Sequence, residues 1–291
     1  MPALRLRAAS WITPDARATV LILNGRTEFI EKYHEPITEL QARRFAVWTL
    51  DWRGQGLSRA ANAPAAQHEA DFTSYLDDLD LMLDRLVLPS LQGRPLILIG
   101  HSMGGHLAAH ALARRPHLYA RAILLTPMIG LLNRGRRPPP FTAALTRIAC
   151  LIPGQSRRFG PGTQRTFDPA RPFENNRLTQ CPTRYAADMA LVTARPELAV
   201  GGVSWGWILA ALRSNRALMR PKTLAHITMP VLVVLAAADT VVDNRPACRF
   251  ALALPQGQLL EITAARHELL RERDAPRHAL WAAIDEFLAP I

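Results

Sequence analysis

Apolar positions in the first 130 residues follow two alternating rhythms. Runs such as TVLILNG (Thr19–Gly25) and FAVWTLDWRGQG (Phe45–Gly56) are apolar at consecutive positions and end in glycine-containing turns, which predicts buried strands. Between them Glu35–Arg44 can form a helix. In DFTSYLDDLDLMLDRLV, residues Phe72, Tyr75, Leu79, Leu83 and Leu86 recur at spacings of three and four, the mark of an amphipathic helix that buries them. A strand at Leu96–Ile99, a helix from about Met103 to Arg114 and a strand at Ala120–Thr126 follow. This alternation predicts an α/β core with a mostly parallel sheet covered by helices on both faces.

The rhythm breaks after Gly130. NRGRRPPPF, PGQSRRFGPG and DPARPF are rich in proline, glycine and arginine, and the apolar pieces between them, FTAALTRIACLI and VSWGWILAALRSNRALM, have helical character. Strand and helix resume at Val231, with a second strand at Gln258–Thr263 and a last helix at about Pro276–Leu288. The expected organisation is a core from 1–130, a mostly helical cap insertion from 131–225, and the rest of the core from 226–291.

Composition adds limits. At 291 residues, 49% apolar and 20% charged, one compact unit with an insertion is a better account than two equal domains. The apolar run VLVVLAAA (Val231–Ala238) is bounded by Pro230 and Asp239, so it has strand length and cannot span a bilayer. MPALRLRAASW has no apolar segment or cleavage site behind its arginines, so no signal peptide is expected. Cys150, Cys181 and Cys248 have no metal-ligand spacing and read as reduced thiols in a cytoplasmic protein. The net charge of +11 comes almost wholly from arginine, Lys32 and Lys222 being the only lysines. The arginines are scattered and no aromatic-basic signature accompanies them, which argues against a nucleic-acid partner. A chain-wide preference for arginine accounts for the charge better than a dedicated basic block.

Chemistry enters at LILIGHSMGG (Leu96–Gly105). Gly100-His101-Ser102-Met103-Gly104 fits G-x-S-x-G between a strand and a helix, the setting in which a nucleophilic serine stands on a strained turn. Side chains two positions before and after the serine would clash there, hence Gly100 and Gly104. The backbone N–H of Met103 would face a developing oxyanion. The same residues would also serve as an ordinary strand–helix turn packed with small side chains.

A nucleophilic serine needs a base and the base an orienting acid, in the chain order Ser, acid, His on this architecture. Asp168, Glu174, Asp188 and Glu197 lie in the insertion and Glu261 inside a strand, which leaves Asp239, just past VLVVLAAA, with Asp243 as a second choice. His278 falls in the last helix, whereas His267 sits in the loop ITAARHELL. Elimination therefore selects Ser102, Asp239 and His267. A second oxyanion donor is expected from the loop after an early strand, where LILNGRTEF offers the N–H of Arg26, although NG could be only a turn. His106 and His110 are four apart on a helix but lack the glutamate of the zinc motif, so no metal is expected. Trp205–Trp207 reads as cap packing rather than a cofactor box.

With these residues in view, the chain resembles the α/β-hydrolase fold, and within it the monoacylglycerol lipase and bacterial lysophospholipase L2-like branch. GHSMGG resembles that branch's nucleophile elbow, LDWRGQGLS (Leu50–Ser58) its D-x-R-G-x-G-x-S segment, and RHELLRE (Arg266–Glu272) its histidine segment. NGRTEFIEKY (Asn24–Tyr33) is similar to the oxyanion-loop segment, with Gly25, Glu28 and Tyr33 in matching places. ENNRLTQCPTRY and ARPELAVGGVSWGW resemble the cap, so the similarity covers nearly the whole chain. Two positions depart from the pattern: Asn24 replaces the histidine usual before the loop glycine, and Cys181 stands where a cap acid is common.

The resemblance implies a serine carboxylic-ester hydrolase for a lysophospholipid or monoacylglycerol, working through an acyl-enzyme and without a cofactor. It also implies substrate contacts from Glu28, Arg177, Arg184 and Trp207. Arg177, Arg184 and Arg213 could meet a lysophospholipid phosphate or an anionic membrane surface at its inner, cytoplasmic face. The alternatives are the same triad acting on a small ester, thioester, peptide or carbon–carbon bond, or a non-catalytic receptor built on the fold.

Overall fold

The computed structural model describes residues 5–59, 67–69, 71–131, 141–163, 165 and 167–291. Among them seven strands form one sheet: β1 (Arg7–Trp11), β2 (Ala18–Leu23), β3 (Phe45–Asp51), β4 (Leu96–His101), β5 (Arg121–Leu125), β6 (Val231–Ala236) and β7 (Gly257–Ile262). The order is β1-β3-β2-β4-β5-β6-β7, with β1 antiparallel to β3 and every other pair parallel. Strands β2, β4 and β6 are buried at every position, which is why their sequences run apolar without alternation.

Ten helices accompany the described strands: α1 (His34–Ala42), α2 (Thr73–Met82), α3 (Leu88–Ser90), α4 (Met103–Arg114), α5 (Thr142–Leu151), α6 (Pro182–Ala194), α7 (Trp205–Leu218), α8 (Pro221–Ala225), α9 (Asn244–Ala253) and α10 (Asp274–Leu288). Successive residues of a strand serve opposite faces of the sheet. Leu21, Leu23 and Leu98 pack with Tyr75, Leu107 and Phe250 from α2, α4 and α9. Val20, Ile22 and Ile97 pack with Ile37 and Leu280 from α1 and α10. The sheet is thus a middle layer between two sets of helices, the α/β-hydrolase architecture.

Strand order also locates the site. The chain moves outward from β2 to β3 and then returns to lay β4 on the other side of β2, so the loops leaving the carboxyl ends of β2 and β4 lie side by side. Such a reversal opens a crevice at the ends of the strands. Between β5 and β6 the described residues form α5 to α8 and short 3-10 turns. They meet the core at strand-end loops: Gly201 O accepts from Arg26 Nη1, and Leu178 O accepts from the N–H of Glu268.

Three local features differ from the sequence reading. Strand β1 was not anticipated, because Arg7–Trp11 is a short edge strand of half-exposed residues with little apolar signal. The helix expected to reach Arg44 stops at Ala42, where Arg44 turns left-handed at φ 62°. Leu86, expected on the buried face, is exposed while Val87 is buried. A π-helical stretch, Leu83–Val87, follows α2; its wider turn takes up one extra residue and moves the inward position from 86 to 87.

Candidate active site

Ser102 joins β4 to α4 with φ 52° and ψ −114°, a backbone conformation that is costly for a side chain larger than glycine. The surroundings hold it there. Its N–H donates to Leu125 O at 3.0 Å, and its carbonyl accepts from the N–H groups of Met128 (2.9 Å) and His106 (3.0 Å). Glycine is required on both sides. A Cβ on Gly100 would lie 2.6 Å from Gly104 O, and one on Gly104 would strike the carbonyl oxygen of Leu23. This contact packs the first turn of α4 against the end of β2.

His267 and Asp239 come to the serine from the loops after β7 and β6. His267 Nε2 lies 2.9 Å from Ser102 Oγ, and His267 Nδ1 lies 2.6 Å from Asp239 Oδ2. The other oxygen of Asp239 accepts from the N–H groups of Val241 (2.7 Å) and Val242 (3.0 Å), which fixes the carboxylate plane. Burial pushes the Asp239 carboxyl upward, but His267 and these hydrogen bonds outweigh it and hold the group below the usual aspartate value. The His267 carbonyl accepts from Thr126 Oγ1 at 2.8 Å and faces His101 Nε2 at 3.2 Å. The second-choice acid, Asp243, instead caps α9 by accepting from the N–H of Arg245.

The loop after β2 is set by side chains from elsewhere. Gly25 N–H donates to Glu28 Oε2 and Thr27 N–H to Gln55 Oε1, each at 2.5 Å. The N–H of Arg26 between them has no acceptor among the described residues, nor has that of Met103 at the open end of α4. Two unspent donors therefore flank the serine. Asp51 braces the same region by accepting from Ile30 N–H and Leu57 N–H, both at 2.9 Å. Gly56, at φ 47°, packs against that carboxylate so closely that a Cβ would collide with it. These contacts give the L-D-W-R-G-Q-G-L-S segment its structural purpose. At Asn24, the backbone carbonyl accepts from Trp52 Nε1 at 2.8 Å and the side-chain oxygen from Thr49 Oγ1 at 3.1 Å.

A buried ionic cluster lies beneath these loops. Glu28 Oε2 accepts from Gly25 N–H and, at 2.6 Å, from Tyr33 OH; His101 Nδ1 lies 2.9 Å away. Lys32 Nζ lies 3.0 Å from Glu28, 2.5 Å from Glu268 and 3.8 Å from Asp188 on α6. Asp188 also pairs with Arg271 at 2.6 Å. Burial raises the Glu28 carboxyl, but His101, Lys32 and the hydrogen bonds reverse this and hold it well below its ordinary value. Burial pushes Asp188 up to about 6 despite its cationic neighbours, Glu268 adding to the effect.

Of the proposed substrate contacts, Glu28 is therefore buried against protein donors and supports the loop from behind. Arg184 is spent on Glu35 (2.8 Å), Asp274 (2.9 Å) and the Glu272 carbonyl (2.7 Å). Arg177 donates to Thr240 Oγ1 at 3.0 Å, beside Asp239, and Arg213 is exposed. Trp207 is buried, its ring 5.3 Å from that of Phe72, in the apolar cluster that includes Met103. His106 and His110 both face Ser214 on α7, at 2.7 and 3.0 Å. Gln55 and the Lys32–Glu268 pair escaped sequence reasoning. One of only two lysines in an arginine-rich chain was the available signal for the second.

The family model described as serine aminopeptidase, S33, matches residues 14–274. Lysophospholipase L2 of Escherichia coli K12 is 32% identical over 278 residues, covering 92% of this chain and 79% of its own. The probable lysophospholipase L2 of Haemophilus influenzae is 27% identical, covering 98% and 88%. Among solved structures, the monoacylglycerol lipase of Paleococcus ferrophilus superposes with a TM-score of 0.73 at 19% identity, covering 98% of this chain and 99% of its own. A soluble variant of Saccharomyces cerevisiae monoglyceride lipase, in complex with a substrate analog, superposes at 0.74 and 19% identity, covering 99% and 94%. The chain belongs to the S33 serine-hydrolase family of the α/β-hydrolase fold.

Proposed function

We propose that this protein hydrolyses carboxylic esters of lipid type, lysophospholipids or monoacylglycerols, through Ser102, His267 and Asp239. The observation that carries the reading is the unbroken Asp239–His267–Ser102 chain ending on a strained serine beside two unspent N–H groups. His267 Nε2 takes the Ser102 proton as Oγ attacks the ester carbonyl, and Asp239 stabilises the imidazolium. The N–H groups of Met103 and Arg26 bind the oxyanion. Collapse releases the alcohol, which takes the proton from His267 and leaves an acyl-serine. Water, deprotonated by the same imidazole, then frees the carboxylic acid and restores Ser102.

The lipid substrate class rests on the relatives named lysophospholipase and on the monoacylglycerol lipase likeness. The family description, an aminopeptidase, makes peptide amides the competing substrate. A panel of acyl esters and aminoacyl amides, with Ser102→Ala as control, separates the two. Ester turnover and fluorophosphonate labelling, both lost in Ser102→Ala, are expected; amide turnover alone would refute the ester reading.

Contact with an anionic membrane is part of the same proposal. Helix α5 is turned inside out: Thr146 is its buried residue, while Leu145, Ile148 and Leu151 are exposed, with Phe141 and Ile152 at its ends. The segment 132–167 contains arginines and no carboxylate. An apolar stripe among cations suits an acidic lipid surface. Among the described residues no helix is long and apolar enough to cross a membrane.

A further inference from the structure

Arg26 has a side chain as well as a backbone N–H. Its Nη1 donates to Gly201 O at 3.2 Å, so the side chain runs from the loop after β2, whose backbone packs against the first turn of α4, to the segment between β5 and β6. Every aspartate and glutamate of the sequence is among the described residues, and none forms an ion pair with it. Burial lowers its pKa, and the Tyr75 phenol is the group that opposes this. Arg177 and Arg266 likewise lack a carboxylate partner, donating to Thr240 Oγ1 and to the Asn176 and Thr179 carbonyls, but neither carries an oxyanion donor; others near the site are ion-paired. Arg271 pairs with Asp188, Arg184 with Glu35 and Asp274, and Arg53 with Asp78. An unpaired, partly desolvated guanidinium is costly to keep, and a bound anion would offset that cost.

Reach and shape narrow the anion. An arginine spans about six bonds from its backbone nitrogen to the guanidinium carbon, and a lysophospholipid about six from its ester carbonyl carbon to phosphorus. With the carbonyl oxygen on the Arg26 N–H, the phosphodiester thus falls within range of the same residue's guanidinium. The planar fork can take two phosphate oxygens at once, which an ammonium cannot. A monoacylglycerol offers only a hydroxyl at that distance.

We propose that the Arg26 guanidinium receives the phosphodiester of a lysophospholipid whose acyl ester lies at Ser102, and so sets a preference for lysophospholipids over uncharged monoacylglycerols. This rests on the reading of the site as a lipid-ester hydrolase and names the feature that selects within that class. Arg26→Met keeps the backbone donor and removes the cation; Arg26→Lys keeps a cation without the fork.

The test measures kcat/KM for a lysophosphatidylglycerol and the monoacylglycerol of the same acyl chain, in mixed micelles with a neutral detergent, with folding checked by circular dichroism. In Arg26→Met the lysophospholipid-to-monoacylglycerol ratio should fall by about tenfold or more, and in Arg26→Lys by less. The ratio should be insensitive to exchange of the glycerol headgroup for choline. Equal losses on both lipids, or a ratio that follows the headgroup alcohol, would overturn the assignment. A second measurement is independent of turnover. An ether-linked lysophospholipid should protect Ser102 from a fluorophosphonate better than the matching alkylglycerol in the wild type, and equally in Arg26→Met. Cleavage of both lipids at an unchanged ratio in every variant refutes the Arg26 role and keeps the lipid-ester reading. Cleavage of neither lipid, with selective protection intact, does the reverse.

Discussion

Lys32 Nζ and Glu268 Oε1 meet at 2.5 Å in a site almost closed to solvent, one residue along the chain from His267. The same ammonium reaches Glu28 in the loop after β2 and Asp188 on α6, so a single cation ties three segments together at one point. Removing it leaves buried carboxylates without their partner. Lys32→Met should lower unfolding stability by about 3–5 kcal/mol. Lys32→Arg should recover only part, because a planar fork does not fit a site shaped for a point charge. Urea denaturation checks both, and a Lys32→Met loss below about 1 kcal/mol would mean that the cluster carries little weight.

The Asp188 carboxyl, raised to about 6 by burial, has a defined effect on pH dependence. Its folded-state pKa exceeds the unfolded one, so the folded protein binds the extra proton between about pH 4 and pH 6. Stability from this group is greatest below that window and is lost as the pH rises through it. Asp188→Asn lacks the term, so the stability difference, wild type minus variant, should shrink from pH 4 to pH 6 and stay level above. Urea midpoints for the pair across pH 4–8 measure this; a constant difference would contradict it.

Two glycines distinguish space from conformation. A Cβ on Gly104 collides with the backbone carbonyls of Leu23 and Asn24, neither of which can swing aside. Gly54 has φ 72° but open space around it. Gly104→Ala should cost about 3 kcal/mol or more, and Gly54→Ala about 1–2 kcal/mol. Thermal denaturation of the two variants should rank them in that order.

On the proposed mechanism Asp239→Asn keeps the shape of the site but no longer favours the required imidazole tautomer. A fall in kcat of about 10⁴-fold with little change in KM is expected for a short soluble ester. Replacement of Asp243, the cap of α9, should leave turnover within about threefold and act through stability instead. Comparable kcat losses in the two variants would undo the assignment of the acid.

The α5 stripe can be tested without turnover. Leu145→Ser combined with Ile148→Ser alters exposed positions, so the fold should lose no more than about 0.5 kcal/mol per site. Sedimentation with phosphatidylglycerol vesicles should nonetheless drop, and wild-type binding should weaken as salt screens the arginines. Binding that is unchanged by both the substitutions and salt would point to a different surface.

The core was legible where the chain is buried on two sides. The strand β4 and the helix Met103–Arg114 follow from an unbroken apolar run and the small residues after it, since no other local structure buries them. The edge strand β1 was not, because half its surface faces solvent and selects no apolar pattern. Leu86 was misread because periodicity assumes a regular helix and a π turn breaks the count. At the site, Ser102, Asp239 and His267, which the structure brings into hydrogen-bond contact, were singled out by the G-x-S-x-G motif, the chain order and their loop positions. What Glu28, Gln55 and Lys32 do depends on contacts between residues up to 236 positions apart, which no local pattern encodes.

The two lysines of this chain have opposite surroundings: Lys222 is exposed, and Lys32 is sealed between the core and α6. An amine-reactive reagent should therefore mark Lys222 at once and Lys32 only when the segments around it part. The protein thus contains an internal reference and an internal reporter of the same chemical type. The ratio of labelling at the two positions, read by mass spectrometry, would report how often α6 and the Glu268 loop part from Lys32, with no added probe.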